Sequence, residues 1–329
     1  MTIYDIAKEA GVSATTVSRV INQKPGVKES TRERIQQILK KYKYLPNPAA
    51  KELADKNSKT IALITEDIRD VHYSSTVFTI EQELSKRGYN CLLINTGKDI
   101  ERRVECVENA MQKQAAGVIF IGSTFQEKYI QKAITRFLPN TPIVIANGYL
   151  TLPNVCGIIC NGGVGIEMAV DYLVDKGHKR IAYVGNEKNA SARSKKSGYL
   201  NAISSNNLDA YIQEYNENAN VDEGKACTAA ILSNYDNITA IVYDQDILAV
   251  GGAQYILEMG KRVPEDISIV GFNNSIFADS FTPKITSIDD KIGVMGVKCA
   301  QALLDMLEDD AEAIQMMLIP EMIFRESTK

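Results

Sequence analysis

Histidine is scarce in this sequence: His72 and His178 are the only two among 329 residues, and no HExxH motif occurs. The cysteines form no CxxC pair and lie at positions 91, 106, 156, 160, 227 and 299. Because structural zinc sites use closely spaced Cys and His ligands, we expect no metal site. We interpret the cysteines as small buried side chains in a reducing compartment.

Long apolar runs are also missing. The longest runs, such as residues 117–122, are far shorter than the ~20 residues that cross a bilayer. The start of the chain carries Asp5, Lys8 and Glu9, where a secretory signal would need an unbroken apolar stretch. We therefore expect no contact with a membrane and a cytoplasmic location.

Motifs for catalysis are incomplete. Residues 163–168 begin like a dinucleotide-binding fingerprint, but Met168 stands near the place of the third glycine, and no Walker lysine motif or GxSxG occurs. Asp244 and Asp246 flank one residue at a strand end, a pattern that favours a structural or ligand-holding role over acid–base chemistry. His178 lies between a helix end and a strand and is interpreted as shaping that turn. We expect no enzyme activity and no cofactor.

The length of 329 residues is enough for two or three domains, and 45% of the residues are hydrophobic. Its charge is unevenly distributed. Residues 1–59 carry 12 Lys+Arg against 6 Asp+Glu, a net charge of +6, whereas the remainder carries a net charge of −10. A basic segment on an acidic body indicates that the segment meets a polyanion.

The basic segment shows a helix–turn–helix pattern. An approximate capping box at Thr2 begins a helix over residues 3–10, and Gly11 ends it. Ser13 can cap a second helix over residues 14–21. Two helices joined by a short glycine turn are typical of this DNA-binding motif.

A third helix follows, and a full capping box formed by Ser30 and Glu33 is predicted at its start. Its periodicity places four side chains inward: Ile35, Ile38, Leu39 and Tyr42. On the second helix, three apolar side chains are predicted to pack on the first: Val17, Val20 and Ile21.

The opposite face of the second helix is small, hydroxylated or basic, and consists of Ala14, Thr15, Ser18, Arg19 and Asn22. Such a face can enter the major groove, about 12 Å wide, where an arginine can bond bidentately to guanine. The alternative is a three-helix domain that contacts protein.

Residues 2–22 (TIYDIAKEAGVSATTVSRVIN) and 44–47 (YLPN) resemble the head of the lactose-repressor family of bacterial transcription factors. The resemblance implies that positions 14, 15 and 19 read base edges. It also implies that phosphates are held by the helix N-termini and by Ser13, Thr16, Asn22 and Thr31. The predicted DNA-binding residues of the head are Tyr4, Ser13, Ala14, Thr15, Thr16, Ser18, Arg19, Asn22 and Thr31.

A two-turn helix is predicted after Pro46 and Pro48, and a helix that short is marginal by itself. The resemblance implies that two such segments of a dimer lie in the minor groove, with Leu53 as a wedge at the central base step. The predicted DNA-binding residues of this hinge are Asn47, Lys51, Leu53 and Ala54. Lys51 replaces the arginine that is usual in the family.

From residue 60 the chain alternates short β-branched runs with amphipathic helices, which predicts an α/β body with parallel sheets. Predicted strands are 61–65, 90–95, 118–121, 143–146, 181–184, 240–243 and 267–271. Helices are predicted between them, for example over 99–115 and 165–176. Its length favours two lobes, and the resemblance implies the architecture of periplasmic sugar-binding proteins, with ligands in the cleft between the lobes.

The predicted domains are an all-α helix-turn-helix head (1–45), a hinge (46–58) and a two-lobed body (59–329). Lobe N is placed at about 59–159 and 291–320, and lobe C at about 162–287 with the C-terminal strand. The chain is expected to cross between the lobes near 158–161, 285–290 and 318–323.

The effector-binding residues that the resemblance implies are His72, Tyr73, Asn147, Arg193, Lys195, Gln245, Asp246 and Asn273. Several depart from the family pattern: Asn147 and Asn273 replace acids, and Lys195 replaces an arginine. Lost acids beside the cluster of Arg193, Lys195 and Lys196 favour an anionic ligand. The alternative is a regulator that needs no ligand or answers to a protein co-regulator.

We therefore interpret the chain as a DNA-binding transcriptional regulator, and as a repressor in particular. It would bind a pseudo-palindromic double-stranded operator as a homodimer and respond allosterically to a small-molecule effector. The alternative function is a small-molecule-binding protein or a sugar-active enzyme whose head is only an interaction module.

Overall fold

The structure is a computed structural model that describes residues 2–44, 58–216 and 218–329. The chain divides into two units, a head (Met1–Ser58) and a body (Lys59–Lys329). No helix within the described ranges is long and apolar enough to span a membrane.

The described part of the head contains three helices: α1 (Ile3–Ala10), α2 (Ala14–Ile21) and α3 (Glu29–Lys41). α1 begins with the predicted capping box, since the Asp5 amide donates to Thr2 Oγ1 (3.3 Å) and the Thr2 amide donates to Asp5 Oδ2 (2.7 Å). Gly11 ends α1 in the left-handed conformation, φ 65°, which costs glycine little.

One small core joins the three helices of the head. Its buried residues are Ile6, Ala7, Ala10, Val17, Val20, Ile35 and Ile38. Their spacing of three and four residues places one apolar stripe of each helix inward. The predicted packing of α2 on α1 is therefore present.

Two predictions for the third helix are wrong. α3 begins at Glu29, one residue before Ser30, and its N-cap Lys28 makes no side-chain capping bond, so the predicted capping box is absent. Tyr42 is not inward: it is 42% exposed at the end of α3, where the Lys41 ammonium lies 4.7 Å from its ring. The periodicity of the sequence therefore predicted an inward apolar stripe on α3 that is one turn longer than the stripe in the structure.

The body consists of two lobes, which we call lobe N and lobe C. The elements of lobe N are β1 (Thr60–Thr65), α4 (Val71–Lys86), β2 (Asn90–Asn95), α5 (Ile100–Gln112), β3 (Gly117–Ile121), α6 (Lys128–Phe137), β4 (Ile143–Ala146), β5 (Val155–Cys160), and later α12 (Ile292–Glu308) and β11 (Gln315–Leu318).

Lobe C has the same alternation of strands and helices. Its elements are α7 (Gly162–Asp175), β6 (Ile181–Gly185), α8 (Ala190–Ser205), β7 (Tyr211–Glu214), α9 (Val221–Asn234), β8 (Ala240–Tyr243), α10 (Asp246–Glu258), β9 (Ser268–Phe272), α11 (Ile276–Ser280), β10 (Thr286–Asp289) and β12 (Glu321–Ile323).

Each lobe is built on a six-stranded sheet. The strand order is β11-β5-β4-β3-β1-β2 in lobe N and β12-β10-β9-β8-β6-β7 in lobe C. All pairs are parallel except β10 with β12, which is antiparallel. Parallel strands need crossover connections, and helices supply them here on both faces.

Both faces of each sheet are covered, as the alternation along β1 illustrates. Ile61 and Leu63 belong to one apolar core of lobe N, whereas Ala62 and Ile64 belong to another on the opposite face. Side chains of a strand alternate between faces, so a strand buried on both faces is almost continuously apolar. The predicted α/β class with parallel sheets in two lobes is confirmed.

The chain passes between the lobes three times: after β5, after β10 and after β11. The residues at these crossings are 160–162, 289–292 and 318–321. Since the carboxyl ends of parallel strands carry the loops that line a cleft, these crossings place the loops of both lobes around one interlobe cleft.

Candidate DNA-binding and effector sites

Helix α2 presents the surface predicted to read DNA. Ser13 caps it, because its Oγ accepts from the Thr16 amide at 3.2 Å. Val17 and Val20 are buried on one side, and Arg19 is exposed on the other. A rigid capped helix with one cation on its free face has the geometry for insertion into a major groove.

The other predicted residues of the head lie on α1, α2 and α3 or at the ends of α2, with different exposures. Tyr4, Ser13 and Thr15 are exposed, whereas Ala14, Thr16, Ser18, Asn22 and Thr31 are half-buried. The hydroxyls of Ser13 and Thr16 lie 2.9 Å apart, so each already has a partner within the cap. The predicted hinge residues Asn47, Lys51, Leu53 and Ala54 lie outside the described residues.

The loop after α2 holds two features that sequence reasoning missed. Arg32 Nη2 donates to the Lys24 carbonyl at 3.0 Å, which ties the loop to α3. A Cβ at Gly26 would lie 3.4 Å from Arg19 Nη1, so the Arg19 guanidinium rests against this glycine. Gly26 also has φ +93°, a conformation that glycine adopts most readily. In the sequence, the glycine after the second helix was the only indication of these contacts.

The interlobe cleft contains a histidine–carboxylate pair. His72 lies in the first turn of α4, and its Nε2 is 2.7 Å from Asp290 Oδ2. Burial opposes a charge on His72, but the charge of Asp290 and its hydrogen bond outweigh burial and raise the pKa of His72 above its usual value. The ring of Tyr73 meets that of His72 edge-on, 5.8 Å between centroids.

Lys195 is the buried cation of lobe C. Its Nζ donates to the Asp244 carbonyl at 2.8 Å and lies 3.6 Å from the centroid of the Phe272 ring. Burial lowers the pKa of Lys195 despite the nearby carboxylates of Asp244 and Asp290. Its ammonium is thus held by a carbonyl and an aromatic face before any ligand arrives.

The other two cations of the predicted cluster have partners of their own. Arg193 is exposed and its Nη1 donates to the Glu187 carbonyl at 3.3 Å. Lys196 forms ion pairs with Glu187 (2.8 Å) and Glu214 (2.7 Å). The structure therefore does not bring these cations together with Lys195 as one unpaired positive group.

Asp246 has a structural role within lobe C. Its carboxylate accepts from the Ser275 amide (2.6 Å), the Ser275 hydroxyl (2.8 Å) and the Ser287 hydroxyl (2.6 Å). Burial raises the pKa of Asp246 to about 6 although these donors favour its charge. Its oxygens are thus occupied by the loop after β9 and by β10.

The remaining predicted cleft residues are half-buried at the ends of strands. Asn147 follows β4 and Asn273 follows β9, both with positive φ (60° and 100°). Gln245 follows β8, and its Nε2 donates to the Tyr215 hydroxyl at 3.2 Å. Asn147 and Asn273 are neutral amides at positions where the family pattern has acids, so the cleft remains polar there without their negative charge.

Two carboxylates of the cleft were not predicted as effector-binding residues. Asp290 Oδ1 and Asp244 Oδ1 are buried and have no hydrogen-bond partner. Asp244 Oδ2 accepts from Tyr215 Oη at 3.3 Å, and burial raises the pKa of Asp244 to about 6. Their place at strand ends could be read from the sequence, but the contact of Asp290 with His72 depends on how the crossing meets lobe N.

Family models match two parts of the chain. The model described as bacterial regulatory proteins, lacI family, matches residues 2–47. The model described as a periplasmic binding protein-like domain matches residues 170–328. The matches cover the helix–turn–helix head and most of lobe C.

Full-length relatives and a solved structure are also similar. An HTH-type transcriptional regulator of Lachnoclostridium phytofermentans is 31% identical, over 100% of this chain and 99% of the relative. Catabolite control protein A of Priestia megaterium is 30% identical, over 100% and 99%. The crystal structure of the lac repressor dimer bound to operator and the anti-inducer ONPF has a TM-score of 0.89 and 26% identity, over 100% of this chain and 99% of that chain.

Proposed function

Because the chain belongs to the lacI family of bacterial regulatory proteins, we propose that it represses transcription by binding a pseudo-palindromic DNA operator as a homodimer. It is a DNA-binding transcriptional regulator. The main structural support for this proposal is that the capped helix α2 exposes Arg19 opposite a buried apolar face. We assign DNA binding to a head (1–45) and a hinge (46–58), and effector binding to the body (59–329).

Homodimerisation has support from the lac repressor structure, which is a dimer. It also has support from an apolar surface on lobe N. Strand β2 lies at the edge of its sheet and exposes 40% of Leu93, and the neighbouring helix α4 exposes 65% of Phe78. Exposed apolar side chains on adjacent elements suit a surface that a second copy covers.

The effector that we propose is a small molecule bound between the lobes. The sequence favours an anion, and Lys195 is the buried cation that would receive it. An anion would share the Lys195 ammonium with the Asp244 carbonyl, because an ammonium has three donors, and it would lie near two partnerless carboxylate oxygens. The alternatives are a regulator that needs no ligand or one that answers to a protein co-regulator.

The cytoplasm is the proposed location, and no catalytic activity is proposed, since the relatives are transcriptional regulators. The competing function is a small-molecule-binding protein or sugar-active enzyme whose head is an interaction module. These functions differ in what the head binds.

The test compares the full chain with a variant that begins at Lys59, on heparin and on random-sequence duplex DNA. We expect only the full chain to be retained, because the positive charge lies in residues 1–59. Its affinity for the duplex should fall by about two orders of magnitude between roughly 50 and 200 mM salt. Equal retention of the two proteins would contradict the proposal, as would a full chain that fails to bind.

A further inference from the structure

His72 and Asp290 join lobe N to one of the crossings between the lobes. His72 lies in the first turn of α4, in lobe N. Asp290 lies at the crossing between β10 of lobe C and α12 of lobe N. The 2.7 Å contact between His72 Nε2 and Asp290 Oδ2 thus fixes the crossing against lobe N.

The pair is shielded from water. The side chains of His72 and Asp290 are 12% and 4% exposed. Asp290 Oδ1 is buried without a partner, so among the described residues His72 provides the hydrogen bond that compensates this carboxylate. A buried charge without such a bond is costly, and the bond is stronger when both partners are charged.

The charges that face the pair come from four directions. His72 is influenced by Asp290, by Asp70 at the N-cap of α4 and by Lys195 of α8. At the end of β5, Cys160 stays a neutral thiol, since burial and the nearby acids raise its pKa to about 12. On the crossing itself, Asp289 and Lys291 bond to each other, and Lys291 also pairs with Glu321. Asp290 is the group that bonds to the imidazole directly.

We propose that His72 and Asp290 form a proton-controlled latch that holds the two lobes in the arrangement described. When His72 is protonated on both ring nitrogens, its positive charge strengthens the hydrogen bond to the Asp290 carboxylate and fastens the crossing to lobe N. Loss of one proton leaves a neutral imidazole as the donor to the same carboxylate, so the bond weakens and the lobes separate more readily. The body thereby responds to pH without any bound ligand.

The sign of the response follows from the direction of the pKa shift. The pKa of His72 is raised in this arrangement, so the arrangement binds the proton more tightly than a separated one. Its added stability is present below about pH 6.5, the usual value of His, and is lost as the pH rises through the raised pKa. Each unit by which the pKa of His72 is raised corresponds to a tenfold change in the equilibrium between the two arrangements.

The first test titrates the histidines of the full chain by NMR. Only His72 and His178 contribute imidazole signals, and His72→Gln removes one of them. We expect His72 to titrate above 6.5 and His178 below it, because burial lowers the pKa of His178. Asp290→Asn should bring the His72 titration to 6.5 or lower, whereas Asp289→Asn, the matched control, should leave it raised.

The second test uses two adjacent amides of α8 as reporters of lobe separation. The Ser191 amide donates across the cleft to Ser123 Oγ (3.2 Å), whereas the Ala192 amide donates to Asn189 Oδ1 (2.9 Å) within lobe C. Hydrogen exchange of the full chain, corrected for intrinsic rates, should show protection of Ser191 falling at least severalfold between pH 5.5 and 8.5. Protection of Ala192 should stay constant.

In His72→Gln the protection of Ser191 should lose its dependence on pH. The latch is wrong if wild-type His72 titrates at or below 6.5, if Asp290→Asn leaves that titration unchanged, or if protection of wild-type Ser191 is independent of pH. These measurements use neither DNA nor effector, so they are independent of the proposed function.

Discussion

Arg19 shows how one side chain connects the local structure of the head to recognition. Its helix is short, but the Ser13 cap and the buried Val17 and Val20 fix the orientation of α2. The guanidinium remains exposed and rests beside Gly26. An arginine oriented in this way can bond bidentately to a guanine edge, whereas contacts with phosphates alone carry no sequence information.

We predict that Arg19→Ala weakens binding to a selected operator by about 1–3 kcal/mol and binding to random DNA by far less. Fluorescence anisotropy with both duplexes at one salt concentration measures the difference. The control is Arg34→Ala, which removes an exposed cation from α3. That variant should lose little affinity and lose it equally on both duplexes. Equal losses for Arg19→Ala would identify Arg19 as a phosphate contact.

The site residues could be predicted only in part from the sequence. The outward face of α2 follows from helical periodicity, because its partners are local. Lys195 was also predicted as a cleft residue, but its bond to the Asp244 carbonyl joins residues 49 positions apart. Asp290 was missed because its partner His72 is 218 positions away. No local pattern encodes such contacts.

At the scale of elements, glycines set how closely helices of lobe C approach. A Cβ at Gly198 in α8 would lie 2.2 Å from the Gly163 carbonyl oxygen in α7, and one at Gly163 would lie 2.8 Å from the Ser194 carbonyl oxygen. Backbone atoms cannot move aside as a flexible side chain can. The glycine-rich start of α7 thus allows close packing of α7 on α8. This packing accounts for the glycines of residues 163–168 without any role in dinucleotide binding.

We predict that Gly198→Ala lowers the free energy of unfolding of the body by about 1–3 kcal/mol, because α7 and α8 must separate. The matched control is Gly293→Ala in the first turn of α12, where a Cβ meets nothing within 4 Å. That change should raise the free energy by about 0.4–1 kcal/mol through the unfolded chain. Urea unfolding of the full chain compares them, and a neutral Gly198→Ala would contradict the packing argument.

The seven predicted strands lie within one residue of their predicted bounds, because strands buried on both faces are short apolar runs between turn residues. Five further strands of the described residues lie outside the predicted strand ranges: β5, β7, β10, β11 and β12. Helix ends were predicted less well, since side-chain caps determine them. α7 begins at Gly162 rather than Gly165, because Asn161 Oδ1 accepts from the Val164 amide at 3.3 Å. α5 ends at Gln112, before the predicted Ala115, and Gln114 follows in a left-handed conformation, φ 52°.

At the scale of the whole molecule, charge separates the two tasks of the chain. The net charge of +6 on residues 1–59 attracts the phosphate backbone, whereas the net charge of −10 on the remainder disfavours indiscriminate binding to DNA. In the proposed function, the head supplies contacts with bases, whereas the body limits non-specific binding and provides the effector site.

The proposed repressor reads a specific two-fold symmetric DNA sequence. The most direct measurement is selection from a random-sequence duplex library by the full chain, followed by sequencing of the bound DNA. We expect enrichment of one pseudo-palindrome whose half-sites are related by two-fold symmetry, as a homodimer requires. Bound DNA that is as random as the input library, or an enriched site without symmetry, would contradict it.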